Sequence, residues 1–404
     1  MPTIRLLGRS LCGFPILSDR TTGWAPLPTA SALPIEPTRY PLFWRTPLWR
    51  PWRSILALVI GVIAFLLVLA VLPIFGVGLD IATGRYTVEE MLAELGQGRL
   101  IATPAIFISN NIGLALLTPV SFVIARLLFK QKGGWLSSVV GRFRWSWFAW
   151  CLAVLAPIWL VTGGFELWLT LRSGDVVLAV NDDTWVMLIG VLLTTPLQCA
   201  GEEFSDRGLI NRAVSSFIKH PVAGPLLGAL VSSALFMAAH SAQDVWLNGF
   251  YFAFGMIACW LTWHTGGLEA AIAMHVVNNL MTLSVAPFMD ISGLFDRGEG
   301  TTTPMALVIG LIAPLVGVGV IEVLTRRRKL VVESAPGRNV PEDLPTIDLT
   351  VLPPPLNPAL SVGSSYLPPA SMFWQTPSAQ PEEAARPRRA LPDPLPASPT
   401  MDPP

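Results

Sequence analysis

The segment 200–208 (AGEEFSDRG) contains the residue types best suited to chemistry, and it directly follows the apolar run 186–197. Ionisable side chains inside a bilayer cost about 2.5–3.5 kcal/mol each on insertion scales, so those found there are usually paired or functional. On a helix, Glu203 and Arg207 stand at i and i+4 and can form an ion pair. Glu202 points about 100° away from Glu203 and has no local partner. We therefore predict that Glu202 is available for proton transfer.

Two histidines in strongly apolar segments extend this set. His240 closes the run SALFMAAH, with Phe236 one helical turn earlier, and His275 opens HVVNN, with Asn279 on the same face. A single buried histidine is more often structural than catalytic. Two histidines, an asparagine and a Glu-Glu-Arg group in spans of one small bundle predict a shared polar site.

The chemistry that this set could perform is hydrolysis of a peptide bond. A carboxylate near two imidazoles and an amide can take a proton from water, and N–H groups can stabilise a tetrahedral oxyanion. The chain contains no G-x-S-x-G serine motif. A zinc ion is an alternative activator of the attacking water, because Glu202, His240 and His275 are residue types that form catalytic zinc sites. The H-E-x-x-H spacing of many such sites is absent.

The composition indicates that a membrane positions these residues. The chain is 52% hydrophobic and 13% charged, whereas ordinary globular domains have about 25% charged residues. The net charge is zero, which argues against a nucleic acid partner. We predict an all-α fold, a polytopic membrane helix bundle of about eight transmembrane helices, each about 20 residues long. The predicted spans are 54–77, 103–129, 146–170, 184–203, 222–240, 245–264, 267–288 and 304–325.

The distribution of charge predicts the orientation. Lys and Arg cluster before the first span, between the second and third, after the fourth and after the eighth. The intervening loops are acidic or mixed, and cytoplasmic loops carry the excess of basic residues. We therefore expect an integral protein of the plasma membrane with both termini in the cytoplasm.

The chain divides into three regions by composition. Residues 1–52 have no sustained period and predict a disordered cytoplasmic N-terminal arm. Residues 53–330 form the transmembrane domain, with the motif core in 184–288. Residues 331–404 hold about half of the 37 prolines and predict a disordered tail.

The depth of the site residues raises a difficulty. At about 1.5 Å per residue, Glu202 lies near the cytoplasmic end of its span and His275 about 12 Å in from that side. The same count places His240 near the opposite face. A shared site therefore requires either that the fourth helix continues through Arg212 or that the fifth begins later than predicted.

Three spaced motifs resemble a known family. Glu202-Glu203-x-x-x-Arg207, Phe236-x-x-x-His240 and His275-x-x-x-Asn279 occur in this order. They resemble the motifs of the CPBP family, the CAAX prenyl protease-like and bacteriocin-processing (Abi) membrane peptidases. The resemblance covers about residues 184–288. Gly208 fits the family's Arg-Gly pair, whereas Asp206 stands where the family has a bulky residue.

The resemblance implies a role for each position. Glu202 would be the general base, and Glu203, held by Arg207, would orient the site. The two histidines, His240 and His275, would bind the water or a metal and polarise the scissile carbonyl. Asn279 would complete the oxyanion site. Family members are commonly labelled metalloproteases, but the glutamate-base mechanism requires no metal and is the one we favour.

The resulting prediction is an intramembrane endopeptidase that acts on a membrane-associated protein or peptide, of CAAX type or of leader or bacteriocin type. Two other classes stay open. A non-catalytic membrane scaffold or immunity protein would use the same residues to hold helices together. A proton-coupled transporter would show inverted repeats, and the two halves of the chain have no self-similarity.

Overall fold

The computed structural model describes residues 31–96, 101–173, 178–289 and 297–338. These residues form helices, two very short strands and connecting turns. The helices are α1 Pro51–Ala82, α2 Val88–Gly96, α3 Pro104–Ala115, α4 Leu117–Leu128, α5 Gly133–Ser137, α6 Trp145–Ser173, α7 Thr184–Glu203, α8 Arg212–Ser215, α9 Ala223–Ala239, α10 Val245–Thr265, α11 Glu269–Leu283 and α12 Pro304–Arg327. A π-helical segment, Phe204–Asn211, joins α7 to α8 without a break.

The helical membrane bundle is confirmed, with one difference in the number of spans. In the described part of the chain, seven helices are long and apolar enough to cross a membrane: Pro51–Ala82, Pro104–Leu128, Trp145–Arg172, Thr184–Ser215, Val245–Thr265, Glu269–Phe288 and Pro304–Arg327. The fifth predicted span, 222–240, is represented by α9, which has only 17 residues. The protein is therefore an integral membrane protein, and its described residues include seven full-length candidate spans and one shorter apolar helix.

Two strands join the segments that flank the bundle. β1 (Thr38–Arg39) precedes α1, β2 (Glu333–Ser334) follows α12, and the two pair antiparallel. Both flanking segments consequently lie at the same end of the bundle.

The prediction of a disordered N-terminal arm is wrong for residues 31–50. Tyr40, Phe43 and Trp44 have no exposed surface, and the Trp44 ring stacks on Phe129 with centroids 3.8 Å apart. The Tyr40 hydroxyl donates a hydrogen bond to the Leu136 carbonyl at 2.6 Å, and burial raises the pKa of this hydroxyl well above its usual range. Burial of these aromatic side chains orders the segment, although its sequence has no helical period.

The ordered domain also ends later than the sequence predicts. Residues 331–338, which we assigned to the tail, include β2 and a short 3-10 turn, Pro336–Arg338, so the ordered domain extends beyond 330. The rest of both arms, 1–30 and 339–404, lies outside the described residues.

Local sequence explains where several spanning helices begin and end. A proline occupies the first turn of α1, α3 and α12, where its missing N–H costs nothing. Thr103 and Thr303 cap α3 and α12 by accepting hydrogen bonds from backbone N–H groups. Gly266 ends α10 in the left-handed conformation, with φ of 72°.

The helices that position the candidate site pack around α7 and α11. α7 contacts α3 and α11, α11 also contacts α6 and α10, and α9 lies against α10 and the π-helical segment. Gly201 makes the contact of α7 with α3 close, because a Cβ at this position would collide with the backbone of Leu114. The residues after Gly201 are thereby held inside the bundle.

A buried ion pair fixes the beginning of α11. The Arg144 guanidinium donates to both carboxylate oxygens of Glu269 at 2.9 and 2.7 Å, and the Glu269 side chain is fully buried. Arg144 also donates to the carbonyls of Thr265 and Val331. This one side chain therefore ties the start of α11 to the end of α10 and to the segment after α12.

Candidate active site

The continuous helix Thr184–Ser215 carries the first motif. Glu202 and Glu203 end the α-helical part, and the chain continues as the π-helical segment through Asn211 into α8. Glu202 is thus in the interior of a 32-residue helix and not near its end. The first of the two predicted solutions to the depth difficulty is confirmed, because the fourth helix runs on past Arg212.

Glu203, Arg207 and His275 form the buried centre of the site. Oε1 of Glu203 lies 3.2 Å from Nη1 of Arg207 and 2.9 Å from Nδ1 of His275. The side chains of Glu203 and Arg207 have no exposed surface, and that of His275 is 3% exposed. The predicted ion pair at i and i+4 is confirmed. The Arg207 guanidinium also lies over the Phe236 ring, 4.4 Å from its centroid.

Glu202 has a different environment from its neighbour. Its Oε2 lies 3.6 Å from Nε2 of His275, beyond direct hydrogen-bond distance. That oxygen makes no hydrogen bond to any residue that the structure describes. Glu202 is therefore the less constrained of the two carboxylates, and it faces the opposite ring nitrogen of the same histidine.

His240 reaches the site through aromatic contacts. Its ring stacks on Tyr251, with centroids 3.8 Å apart and an interplanar angle of 26°. The centroid of the Phe236 ring lies 4.5 Å from that of His240 and 5.9 Å from that of His275, so one aromatic ring adjoins both imidazoles. Nδ1 of His240 is 2.8 Å from the Phe236 carbonyl. Because a carbonyl only accepts, Nδ1 carries the proton, and in the neutral ring Nε2 is an acceptor.

Asn279 joins the site through amide hydrogen bonds. Trp159 Nε1 donates to Asn278 Oδ1 at 3.2 Å, Asn278 Nδ2 donates to Asn279 Oδ1 at 3.2 Å, and Asn279 Nδ2 donates to Gln198 Oε1 at 3.4 Å. The Trp159 indole N–H can only donate, so it fixes the donor-to-acceptor direction of all three hydrogen bonds. The Gln198 amide nitrogen is then available to donate a hydrogen bond to the carboxylate of Glu202, which lies one helical turn further along α7.

Sequence reasoning missed several residues of this arrangement. Gln198, Tyr251 and Asn278 stand in apolar spans and belong to none of the three motifs. Arg297 comes from a loop with no motif at all, yet its guanidinium donates to the His240 carbonyl at 2.9 Å and lies 5.9 Å from the Tyr251 ring. The polar types of Gln198 and Asn278 inside apolar spans were the available signal, whereas Arg297 offered none.

The loop that supplies Arg297 is held by the cap of α10. One carboxylate oxygen of Asp244 accepts from the backbone N–H groups of Trp246 and Leu247, and the other accepts from Gly300. These hydrogen bonds, that of Leu247 foremost, lower the pKa of the Asp244 carboxyl. The cap therefore positions the 297–303 loop against the turn that follows His240.

The predicted metal ligands do not form a metal centre in this structure. Within the described ranges, no three His, Cys, Asp or Glu side chains are grouped so that they could hold a metal ion. Nδ1 of His275 faces Glu203 and Nδ1 of His240 faces a carbonyl, which leaves only the two Nε2 atoms and Glu202 for such a role.

Comparison with known proteins supports the family resemblance. Residues 182–281 match the family described as Type II CAAX prenyl endopeptidase Rce1-like, and this segment contains all six predicted site residues. The predicted resemblance to the CPBP family is confirmed for this part of the chain. The uncharacterized protein YyaK of Bacillus subtilis (strain 168) is 29% identical over 100 residues. That match covers 23% of this chain and 32% of YyaK. No solved structure matches the chain.

Proposed function

We propose that this protein is an intramembrane endopeptidase that hydrolyses a peptide bond of a membrane-associated protein or peptide, with a water activated by Glu202. The observation that carries the proposal is the position of His275 between Glu203 and Glu202 in the interior of the bundle. The similarity of residues 182–281 to type II CAAX prenyl endopeptidases supports the same activity.

The two glutamates have separate tasks in this proposal. Arg207 neutralises Glu203, and Glu203 in turn holds the imidazole of His275 through Nδ1. Glu202 has no guanidinium partner within ion-pair distance among the described residues, so its carboxylate is free to accept a proton. Glu203 is accordingly a positioning residue, and Glu202 is the general base.

Hydrolysis then proceeds in two proton transfers. Glu202 takes a proton from water while the water oxygen attacks the scissile carbonyl carbon, which forms the tetrahedral intermediate. Protonated Glu202 next gives this proton to the amide nitrogen, and the C–N bond breaks to release an amine and a carboxylic acid. One water is consumed and Glu202 returns to its starting state.

Asn279 supplies the donor for the developing oxyanion. One of its two amide N–H bonds points to Gln198, and the other remains for the substrate. A donor that is already oriented requires no rearrangement when charge develops on the carbonyl oxygen. His275 faces the attacked bond through Nε2 and contributes there when that nitrogen is protonated.

His240 keeps only one of the roles that the resemblance implies, binding of the water. With its Nδ1 proton directed to the Phe236 carbonyl, the neutral ring presents an unprotonated Nε2. This atom accepts a hydrogen bond and so orients the attacking water, whereas it cannot donate to an oxyanion. A metal-bound water is the alternative nucleophile, and activity that survives exhaustive chelation supports the metal-free route.

The placement in the cell follows from the charge of the loops. The end of the bundle that carries β1 and β2 is the one flanked by basic clusters, and we propose that it faces the cytoplasm. A plasma-membrane location and a substrate of CAAX, leader or bacteriocin type belong to the same proposal. None of its steps requires that the substrate be prenylated.

The experiment compares the termini of membrane proteins, by mass spectrometry, in cells that carry the wild-type protein or Glu202→Gln. The substitution keeps the shape of the side chain and removes its basic oxygen. Defined cleavage products that vanish at unchanged protein abundance support the proposal and identify the substrates. Coinciding profiles, under conditions where the wild-type phenotype is expressed, contradict it and favour the non-catalytic scaffold.

A further inference from the structure

A cavity opens beside the candidate active site, between α1, α4, the π-helical segment and α9. It has a volume of about 250 Å³ and mostly apolar walls. Leu66 and Leu235, which contribute to these walls, are 57% and 39% exposed, so the cavity opens on the outer face of the bundle. A peptide that lies in the membrane can therefore enter the cavity from the side, without crossing the helix bundle.

Two polar side chains in this apolar cavity lack hydrogen bonds. The Asp206 carboxylate and the Ser121 hydroxyl both line it, and neither makes a hydrogen bond to any described residue. The nearest cation to Asp206 is Arg207 at 3.8 Å, but Arg207 lies closer, at 3.2 Å, to Glu203. The Asp206 side chain is only 12% exposed. A carboxylate this buried is costly unless a partner with hydrogen-bond donors satisfies it.

The cavity adjoins the groups proposed for catalysis. Asp206 follows Glu202 by four residues on the same continuous helix. The opposite wall includes Ala238 and Ala239, which directly precede His240. Ser232 of α9 donates to the Asp206 carbonyl at 3.2 Å, which holds the two walls together. A peptide bond placed at Glu202 therefore has a neighbouring side chain within reach of this cavity.

We propose that the cavity is a specificity pocket for a basic side chain, lysine or arginine, close to the scissile bond of the substrate. The aliphatic stem of such a side chain packs on the apolar walls. Its cationic head pairs with Asp206 and donates to Ser121, which satisfies both groups. This inference rests on the proposed endopeptidase function and narrows its substrates to membrane peptides with a lysine or arginine at a fixed position.

The test extends the comparison of membrane-protein termini to Asp206→Asn and Asp206→Glu. Sites whose cleavage depends on Glu202 are expected to carry Lys or Arg at one fixed distance from the cut. Asp206→Asn is expected to lower cleavage at these sites about tenfold or more, because a hydrogen bond to a charged group is lost. Asp206→Glu keeps the charge and retains the preference. Asp182→Asn, in an exposed loop, is the matched control.

The outcomes separate this inference from the proposed function. Glu202-dependent sites without a fixed basic residue overturn the pocket and leave the endopeptidase standing. An equal loss at all sites in Asp206→Asn, at unchanged abundance and melting temperature, assigns Asp206 to Arg207 and also overturns the pocket. The absence of any Glu202-dependent site overturns both. A change in co-purified aminophospholipid with an unaltered cleavage pattern assigns the cavity to a lipid amine.

Discussion

The Nδ1 atom of His275 lies 2.9 Å from Oε1 of Glu203, while its Nε2 atom lies 3.6 Å from Oε2 of Glu202. Consecutive residues of a helix point about 100° apart, yet one imidazole from another helix lies against both carboxylates. The neutralised Glu203 therefore sets the orientation of the ring that faces the less constrained Glu202. This arrangement makes His275 the residue whose loss should affect hydrolysis without removing the general base.

His275→Gln is expected to lower Glu202-dependent cleavage by at least about a hundredfold, the typical contribution of a positioned acid-base group. The readout is the yield of the cleavage products that vanish in Glu202→Gln. His264→Gln serves as the control, because His264 ends α10 beside Glu322, outside the site. A variant His275→Gln that kept a tenth of the wild-type yield would remove this histidine from the mechanism.

Arg207→Met is expected to destabilise the protein by about 3–5 kcal/mol, because it leaves Glu203 buried without its cation. Thermal unfolding of the purified protein in detergent measures the effect. The double variant Arg207→Met with Glu203→Gln should recover part of this loss, since Glu203 then no longer carries a buried charge. Arg326→Met is the matched control: its pair with Glu322 is on the surface, with Arg326 77% exposed, and should contribute about 0–1 kcal/mol.

The spans were predictable because apolar runs of sufficient length are themselves the signal. The helix boundaries agree with the predicted ones within a few residues, except where polar side chains continue a helix. Residues 204–212 contain one acid, two arginines and a glycine and resemble a loop, but the surrounding helices bury them and the helix continues to Ser215. The burial that stabilises this extension comes from distant parts of the chain and leaves no local pattern.

The site was predictable only to the extent that its residues share motifs. The pair Glu203 and Arg207 follows from helical spacing, and its geometry bears this out. The contacts of Gln198 with Asn279 and of Arg297 with His240 join parts of the chain that lie far apart in sequence. Such contacts depend on how the helices pack, and no spacing rule within one segment encodes them.

Gln198→Met is expected to lower cleavage about tenfold or more without a loss of stability of the same size, because the hydrogen-bonding partner of Glu202 and Asn279 is removed. Trp159→Phe should act in the same direction, since it removes the donor that orients the amides. Trp263→Phe is the control, because the Trp263 indole N–H is buried without a partner in the described structure. Equal effects of the two tryptophan variants would contradict a role of Trp159 in orienting these amide hydrogen bonds.

Gly201→Ala is expected to destabilise the protein by about 1–3 kcal/mol, because the new Cβ would collide with the Leu114 backbone. Gly163→Ala in α6 tests the opposite case. Nothing lies within 4 Å of a Cβ at Gly163, so its helix propensity should stabilise the protein by up to about 1 kcal/mol. Melting temperatures in detergent compare the two, and a stabilising Gly201→Ala would exclude the close contact of α7 with α3.

The pairing of β1 with β2 also determines how the bundle responds to mechanical force. A pull on the segment before α1 or on the segment after α12 loads this two-residue ladder and the hydrogen bond of Gly337 to Pro34 before it loads a spanning helix. Because so short a ladder contains few hydrogen bonds, we expect it to open at low force. A motor protein that pulled on either end would open the β1–β2 ladder first. The helices that carry Glu202 and His275 would bear no load until the ladder had opened.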